Sequence, residues 1–113
     1  MPNKKIIILN DANFEREVFD STNMLVQFWA PWSPPCSLLS PIVDTIADEF
    51  YGKIIVGRLD IEVSPMVIDQ YRVRYVPTLI LFEKGREIYR KTGAVDESTL
   101  SSLIQGYFGI SNS

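Results

Sequence analysis

Short apolar runs alternate along the chain with segments in which apolar residues recur every three or four positions. A short β-branched run predicts a strand at Lys5–Leu9. Met24–Ala30 is apolar almost throughout, which is typical of a buried central strand, and Ile54–Ile61 predicts a second buried strand. Two further strands, Thr78–Phe82 and Glu87–Lys91, flank a turn that contains glycine and therefore predict a hairpin.

Helical periodicity fills the intervals between the strands. The predicted helices run from a cap at Asn10 or Asp11 to about Asp20, from Cys36 to about Tyr51, from a cap at Ser64 to about Tyr71, and onward from a cap at Asp96. Pro41 lies inside the second helix and predicts a kink there, because proline removes a backbone donor. The order β-α-β-α-β-α-β-β-α predicts an α/β fold with helices on both faces of a mixed sheet.

Length and composition narrow the class of protein. The 113 residues suit one domain, residues 1–113, with one hydrophobic core, and 46% apolar with 22% charged residues is an ordinary globular balance. The net charge is −3 and no basic stripe is present, so we expect no nucleic-acid partner. The apolar runs are too short to span a bilayer or to form a signal peptide, so we expect no membrane partner and a cytoplasmic location.

The cysteine and histidine counts exclude several kinds of chemistry. One cysteine, Cys36, and no histidine leave no disulfide framework and no ligand set for structural zinc or an iron–sulfur cluster, so we expect no metal and no cofactor. A single thiol also cannot run an intramolecular dithiol–disulfide cycle, because that cycle needs two sulfur atoms.

The segment from Phe28 to Cys36 carries the most specific signal. It lies where a buried strand meets the start of a helix, and the backbone N–H groups and dipole of a helix N-terminus favour a nearby anion. Ser33 and Cys36 are three residues apart and are neighbours on the first helical turn. Two thiols placed in this way would be close enough to form a disulfide.

These residues resemble the Trp-Cys-Gly-Pro-Cys motif of the thioredoxin family at Trp32, Pro35 and Cys36. Other features of that family follow in the right order over nearly the whole chain: Phe28-Trp29-Ala30, Pro41, Val76-Pro77-Thr78, Gly85 and Gly93. The resemblance implies a thioredoxin fold, which is a central mixed five-stranded sheet flanked by four helices.

The resemblance also implies an activity, protein-disulfide oxidoreduction. In this family the first motif cysteine attacks a partner disulfide and the second resolves the mixed disulfide. A buried Asp in the preceding strand assists proton transfer, and a cis proline facing the motif presents the backbone to which a substrate peptide pairs. The implied partners are protein thiols and disulfides, with a thioredoxin reductase as a candidate, and a monomer is expected.

The chain departs from this pattern at three positions. Ser33 stands in place of the nucleophile, and a hydroxyl there is a poor nucleophile without an adjacent base. Pro34 replaces the usual Gly, and Gln27 replaces the buried Asp, while Cys36 keeps the resolving position. We therefore expect the dithiol cycle to be disabled. A laboratory Cys-to-Ser change would explain Ser33 alone, so Gln27 and Pro34 favour a naturally atypical member, which a Cys codon at position 33 of the native gene would contradict.

The resemblance also implies a substrate-binding surface, made of Trp32, Pro34, Pro35, Val76, Pro77 and Gly93. Two alternatives to a disabled oxidoreductase stay open. One is a redox-inactive module that binds a partner peptide on this surface. The other is a monothiol in which Cys36 forms a mixed disulfide with glutathione or a partner, or links two chains as a dimer.

Structural roles compete with the chemical ones. Cys36 is equally well explained as a core thiol, and Ser33 is better explained as a helix N-cap. Gln27 needs hydrogen-bond partners in its apolar strand, because burying it unpaired costs about 1–3 kcal/mol. Arg58 is a candidate partner, unless its side chain reaches solvent.

Overall fold

The computed structural model describes residues 3–111 and contains one five-stranded mixed sheet in the order β1-β3-β2-β4-β5. The strands are β1 (Ile6–Leu9), β2 (Asn23–Trp29), β3 (Ile55–Asp60), β4 (Thr78–Glu83) and β5 (Arg86–Thr92). Strands β1, β3 and β2 run parallel, whereas β4 is antiparallel to β2 and β5 is antiparallel to β4. The predicted mixed sheet of a thioredoxin fold is confirmed.

Four helices cover the two faces of this sheet. They are α1 (Phe14–Asp20), α2 (Pro34–Glu49), α3 (Pro65–Gln70) and α4 (Glu97–Phe108), and a 3₁₀ turn, Ile61–Val63, joins β3 to α3. Helices α2 and α4 pack on one face through residues such as Leu39 and Ile104, and α1 and α3 pack on the other through Phe14 and Val67. Because both faces are covered, the central strand β2 is buried from Met24 to Phe28, as its continuous apolar run predicted.

The predicted cap of the first helix was wrong. Helix α1 begins at Phe14 with Asn13 in the cap position, and the side chain of Asn10 instead accepts hydrogen bonds from the N–H groups of Ala12 and Asn13. Asn10 thus forms a local turn of the kind that competes with helix, so the helix starts later than the sequence pattern indicated.

Asp11 caps a helix, but it is α3 rather than α1. Its two carboxylate oxygens accept hydrogen bonds from the N–H groups of Met66 and Val67, at 3.1 and 2.9 Å. Ser64 occupies the predicted cap position of α3, yet its side chain makes no capping hydrogen bond. A carboxylate satisfies the positive end of a helix better than a neutral hydroxyl, so a residue distant in sequence takes over the role.

Helix α2 begins two residues earlier than predicted, at Pro34, and ends at Glu49. Proline is well tolerated in the first turn, where its missing N–H group would have no helical partner in any case. Pro34 and Pro35 therefore belong to the helix and do not precede it. The helix continues through Pro41 as one element.

One predicted turn and one predicted helix cap are confirmed. Lys84 and Gly85 form the two-residue turn of the β4–β5 hairpin, both with positive φ values, 52° and 83°. Asp96 caps α4 by accepting a hydrogen bond from the N–H of Thr99 at 2.7 Å.

Candidate functional site

The motif segment lies between the end of β2 and the start of α2. Strand β2 is paired with β4 in antiparallel register, with Phe28 opposite Thr78. The end of β2 therefore lies beside the start of β4. The residues just before β4, Val76 and Pro77, thus lie at the same end of the strands as the motif. The two parts of the candidate site meet at this end, and we call them the motif side and the loop side.

Ser33 is buried in the N-cap position of α2, but its hydroxyl makes no capping hydrogen bond. An N-cap side chain normally accepts from the N–H of the second or third helical residue. Here the second residue, Pro35, has no N–H, and the N–H of the third, Cys36, donates to the carbonyl oxygen of Ser33 at 3.1 Å.

The first turn of α2 has no backbone N–H group free to stabilise an anion. Pro34 and Pro35 lack this group, and the N–H groups of Cys36 and Ser37 both donate to the carbonyl of Ser33, at 3.1 and 3.2 Å. The N–H of Ser33 itself donates to Ala30 at 3.2 Å. The feature that makes a helix N-terminus an anion site is therefore absent from this turn.

Cys36 is the third residue of α2 and only 1% exposed. A partner disulfide needs direct access to a sulfur atom, and reactive cysteines are at least partly exposed. The burial of Cys36 favours the core-thiol interpretation over the monothiol one.

Gln27 is fully buried in β2 and contacts α2 at Ser40, one helical turn after Cys36. Arg58 is its neighbour in the parallel β2–β3 ladder, and Arg58 Nε donates a hydrogen bond to Gln27 Oε1 at 2.7 Å. On its other side, Gln27 Nε2 donates to Ser40 Oγ at 3.2 Å. Arg58 was expected either to pair with Gln27 or to reach solvent, and the structure shows that it pairs with Gln27.

The same network reaches α2. Ser40 Oγ donates to the carbonyl oxygen of Cys36 at 3.0 Å, and Arg58 Nη2 donates to the carbonyl of Ser40 at 3.2 Å and to Asp44 Oδ1 at 3.3 Å. The side chain of Arg58 is 15% exposed, and Asp44 balances its charge. A neutral amide and an ion pair thus join β2 and β3 to α2, beginning at Ser40 and ending at Asp44.

The loop side is formed by the segment before β4. The Val76–Pro77 peptide bond is cis, as the resemblance led us to expect. Thr78 Oγ1 donates to the carbonyl of Tyr75 at 2.6 Å, and the N–H of Gly93 donates to the carbonyl of Pro77 at 2.8 Å. Within residues 3–111, the backbone N–H and carbonyl of Val76 make no hydrogen bond.

Exposed side chains border this unpaired backbone. Trp32 is 63% exposed on the motif side, with Pro34 and Pro35 also at the surface, and Tyr75 is 70% exposed on the loop side. Gly93 has a φ of 88°, and a Cβ atom there would meet no atom within 4 Å, so glycine serves the backbone conformation and leaves open space.

A family comparison covers nearly the whole chain. The Thioredoxin family model matches residues 5–106. The chain belongs to the thioredoxin family. Thioredoxin 1 of a Nostoc species is 41% identical over 98 residues, covering 86% of this chain and 92% of that protein. Thioredoxin of Buchnera aphidicola from Acyrthosiphon pisum is 43% identical over 101 residues, covering 88% and 94%. The chloroplastic M-type thioredoxin of Spinacia oleracea is 37% identical over 105 residues, covering 92% and 58%.

Within this thioredoxin-family site, sequence reasoning missed Ser40, Asp44 and Tyr75. Cys36, Ser40 and Asp44 are spaced four residues apart, so they lie along one side of α2, and this spacing could have placed the two polar residues near Gln27. No comparable signal marked Tyr75, because exposure of a loop aromatic is decided by the fold.

The described part of the chain contains no group of three or more His, Cys, Asp or Glu side chains able to hold a metal ion. None of the helices in residues 3–111 is both long enough and apolar enough to cross a membrane.

Proposed function

We propose that this thioredoxin-family protein does not cycle between dithiol and disulfide, and that it binds an extended segment of a partner protein. The binding surface comprises Trp32, Pro34 and Pro35 on the motif side and Val76 and Gly93 on the loop side, whereas Pro77, which the sequence predicted as part of this surface, is buried. The observation that carries the proposal is the first turn of α2, in which no N–H group is free and the only thiol is buried.

The motif side lacks the groups that disulfide chemistry needs. A cycle transfers two electrons between two pairs of sulfur atoms, and Ser33 contributes an oxygen atom in place of one of them. A hydroxyl becomes a useful nucleophile only beside a base. Gln27, at the place of the family's acid, has no titratable proton, and its amide is engaged by Arg58 and Ser40.

The loop side keeps the groups that peptide binding needs. An extended peptide can pair with the free N–H and carbonyl of Val76, in the manner of a strand added to a sheet edge. Trp32 and Tyr75 offer exposed aromatic surface to the side chains of such a peptide. Aromatic residues of this type dominate the energy of many protein interfaces.

The partners that we propose are polypeptide segments, whether or not they carry thiols. A thioredoxin reductase is a partner only if the dithiol cycle operates, which this proposal denies. We further propose that residues 1–113 act as one cytoplasmic domain and as a monomer, since the buried Cys36 is poorly placed to link two chains.

A peptide titration tests the proposal. The probes are 12-residue peptides selected from a random phage-displayed library on the immobilised wild-type protein. Trp32→Ala is expected to weaken their binding at least about tenfold, a typical loss for an interface hot spot. Tyr51 is the matched control. It is 67% exposed, but it precedes β3 and therefore lies at the end of the strands opposite the motif. Tyr51→Ala is expected to bind as the wild type does.

Two results would contradict the proposal. The first is catalytic reduction of a disulfide-linked protein by the wild type, at a rate near that of a relative with two motif cysteines. The second is rapid labelling of Cys36 by a thiol reagent under native conditions, which would favour the monothiol hypothesis. We expect slow labelling, limited by opening of the structure.

A further inference from the structure

Strand β5 carries an ion pair on the face that α3 covers. Arg90 Nε and Nη2 donate to the two carboxylate oxygens of Glu87, both at 2.9 Å, which is a bidentate arrangement. These residues are three apart, so in a regular strand they would point to opposite faces. Leu81 is paired with Tyr89 but Phe82 with Glu87, so Ile88 forms a β-bulge that brings Glu87 and Arg90 to the same face.

The remaining contacts of Arg90 reach the end of α3. Its Nη2 donates to the carbonyl of Tyr71 at 2.7 Å, and its Nη1 donates to the carbonyl of Arg72 at 3.3 Å. Carbonyl groups at a helix C-terminus lack partners in the helix and are stabilised by a cation. Glu87 thus orients a guanidinium group that holds the chain where it leaves α3.

The segment that follows, residues 72–77, leads directly to the loop side of the proposed binding surface. It begins at Arg72, whose positive φ of 52° turns the chain, and ends at Pro77, whose carbonyl accepts from the N–H of Gly93. Arg90 of β5 therefore holds the start of this segment, and Gly93, which follows β5, holds its end. Between the two attachments lies the unpaired backbone of Val76.

We propose that Arg90 is a positioning residue for partner binding, because its paired contacts with Tyr71 and Arg72 hold residues 72–77 in the conformation that presents Val76. The proposal rests on the proposed function. If the backbone of one residue is already fixed in the free protein, its conformational entropy is not lost on binding. This is worth a factor of about 5 to 30 in affinity. Arg90 itself is 29% exposed and lies on the α3 face of β5, outside the binding surface.

Loss of Arg90 is expected to act locally. The ring of Tyr71 packs against Phe14 and Phe82, with centroids 5.3 and 5.5 Å apart, and the N–H of Val73 donates to Ile68 at 2.9 Å. These contacts keep α3 in place without Arg90, so the change should be confined to the residues after Tyr71.

The experiment compares Arg90→Ala and Arg90→Lys with Arg86→Ala, an exposed arginine of the same strand. We expect both Arg90 variants to bind the display-selected peptides about 5- to 30-fold more weakly. We also expect lower backbone NMR order parameters for residues 73–76 of the free protein. Lysine keeps the charge but not the planar fork, so Arg90→Lys should not rescue binding. Arg86→Ala should match the wild type in both measurements, which are made where circular dichroism shows every variant folded.

Wild-type affinity in the Arg90 variants would overturn the proposal, whether or not the order parameters of residues 73–76 fall. An equal loss in Arg86→Ala would also overturn it, because the effect would then be a general one of charge on β5. If the wild type selects no peptide whose binding depends on Trp32, the proposed function itself fails, and this result is distinguishable because it appears before any Arg90 variant is used.

Discussion

The two sides of the candidate site have diverged to different degrees from the pattern that the chain resembles. On the motif side, Ser33, Pro34 and Gln27 stand where the resemblance implies a Cys, a Gly and a buried Asp. On the loop side, the cis Val76–Pro77 bond and the Gly93 contact to Pro77 are present. Disulfide chemistry needs particular atoms, whereas backbone recognition needs a main-chain conformation. A chain can therefore lose the first and keep the second.

The motif side has not simply lost its interactions. Gln27, Arg58, Ser40 and Asp44 form a connected hydrogen-bond network between β2, β3 and α2. A buried polar network of this kind stabilises only if its members are satisfied, because each unpaired group carries a desolvation penalty. The motif side, for which we propose a loss of redox chemistry, is thus still held together by specific contacts.

The largest effect should come from restoring a thiol to the motif side. Ser33→Cys is expected to give the protein measurable disulfide-reducing activity, and Ser33→Cys combined with Pro34→Gly is expected to increase it. Glycine returns one N–H group to the first turn of α2, and a hydrogen bond to a charged group is worth about 1.5–3 kcal/mol. The pKa of the introduced thiol should therefore fall by about one to two units between the two variants.

The pH dependence of alkylation at position 33 measures this difference, with Pro34→Gly alone as the control that lacks the thiol. Equal thiol pKa values in the two variants would show that the missing N–H group does not contribute. Full activity in Ser33→Cys alone would show that the nucleophile is the only group that the motif side lacks for disulfide chemistry.

A smaller effect is expected from removing the amide beneath the motif. Gln27→Leu leaves Arg58 Nε without its acceptor and removes the donor to Ser40 Oγ, so the free energy of unfolding should fall by about 1–3 kcal/mol. Urea denaturation measures this change. Adding Arg58→Met should cost less than the sum of the single substitutions, because the two side chains are partners. Peptide binding by the folded variants should be unchanged, and a parallel loss would show that the two sides are coupled.

The smallest effect concerns acid stability, which we assign to the start of α4 and to neither side of the site. The backbone N–H of Thr99 donates to Asp96 and holds the pKa of that carboxyl below its ordinary value. The contribution of Asp96 is therefore present above the ordinary carboxyl pKa of about 4 and is lost as the pH falls through its lower folded-state value. Glu97 has the opposite sign, because a hydrogen bond with Glu49 raises its pKa, so its contribution is present in acid and is lost as the pH rises.

Unfolding followed by circular dichroism between pH 7 and pH 3 separates these groups. Asp96→Asn should lose less stability on acidification than the wild type, and Glu97→Gln should lose more. Trp32→Ala should keep the wild-type profile. A changed profile in Trp32→Ala would place part of the acid sensitivity at the binding surface.

Most of the element order could be predicted from the sequence, because hydrophobic periodicity is a local property of the chain. The first residue of each helix was harder to predict from the sequence. Asn10, Asp11 and Ser64 are all good capping residues, and their identities alone do not say which helix each one caps. The two prolines of the motif were equally ambiguous, since proline is suited both to a loop and to the first turn of a helix.

The sequence by itself determined that this protein has one thiol, that Ser33 and Gln27 stand where its family resemblance implies other groups, and that strands and helices alternate in this order. Only the tertiary structure decided that Asp11 caps α3, that Gln27 is satisfied by Arg58 and Ser40, and that Arg90 holds the chain after α3. The physical reason is that composition and periodicity are carried by the chain itself. A side-chain hydrogen bond needs a partner within about 3 Å, and the packing of distant segments supplies that partner.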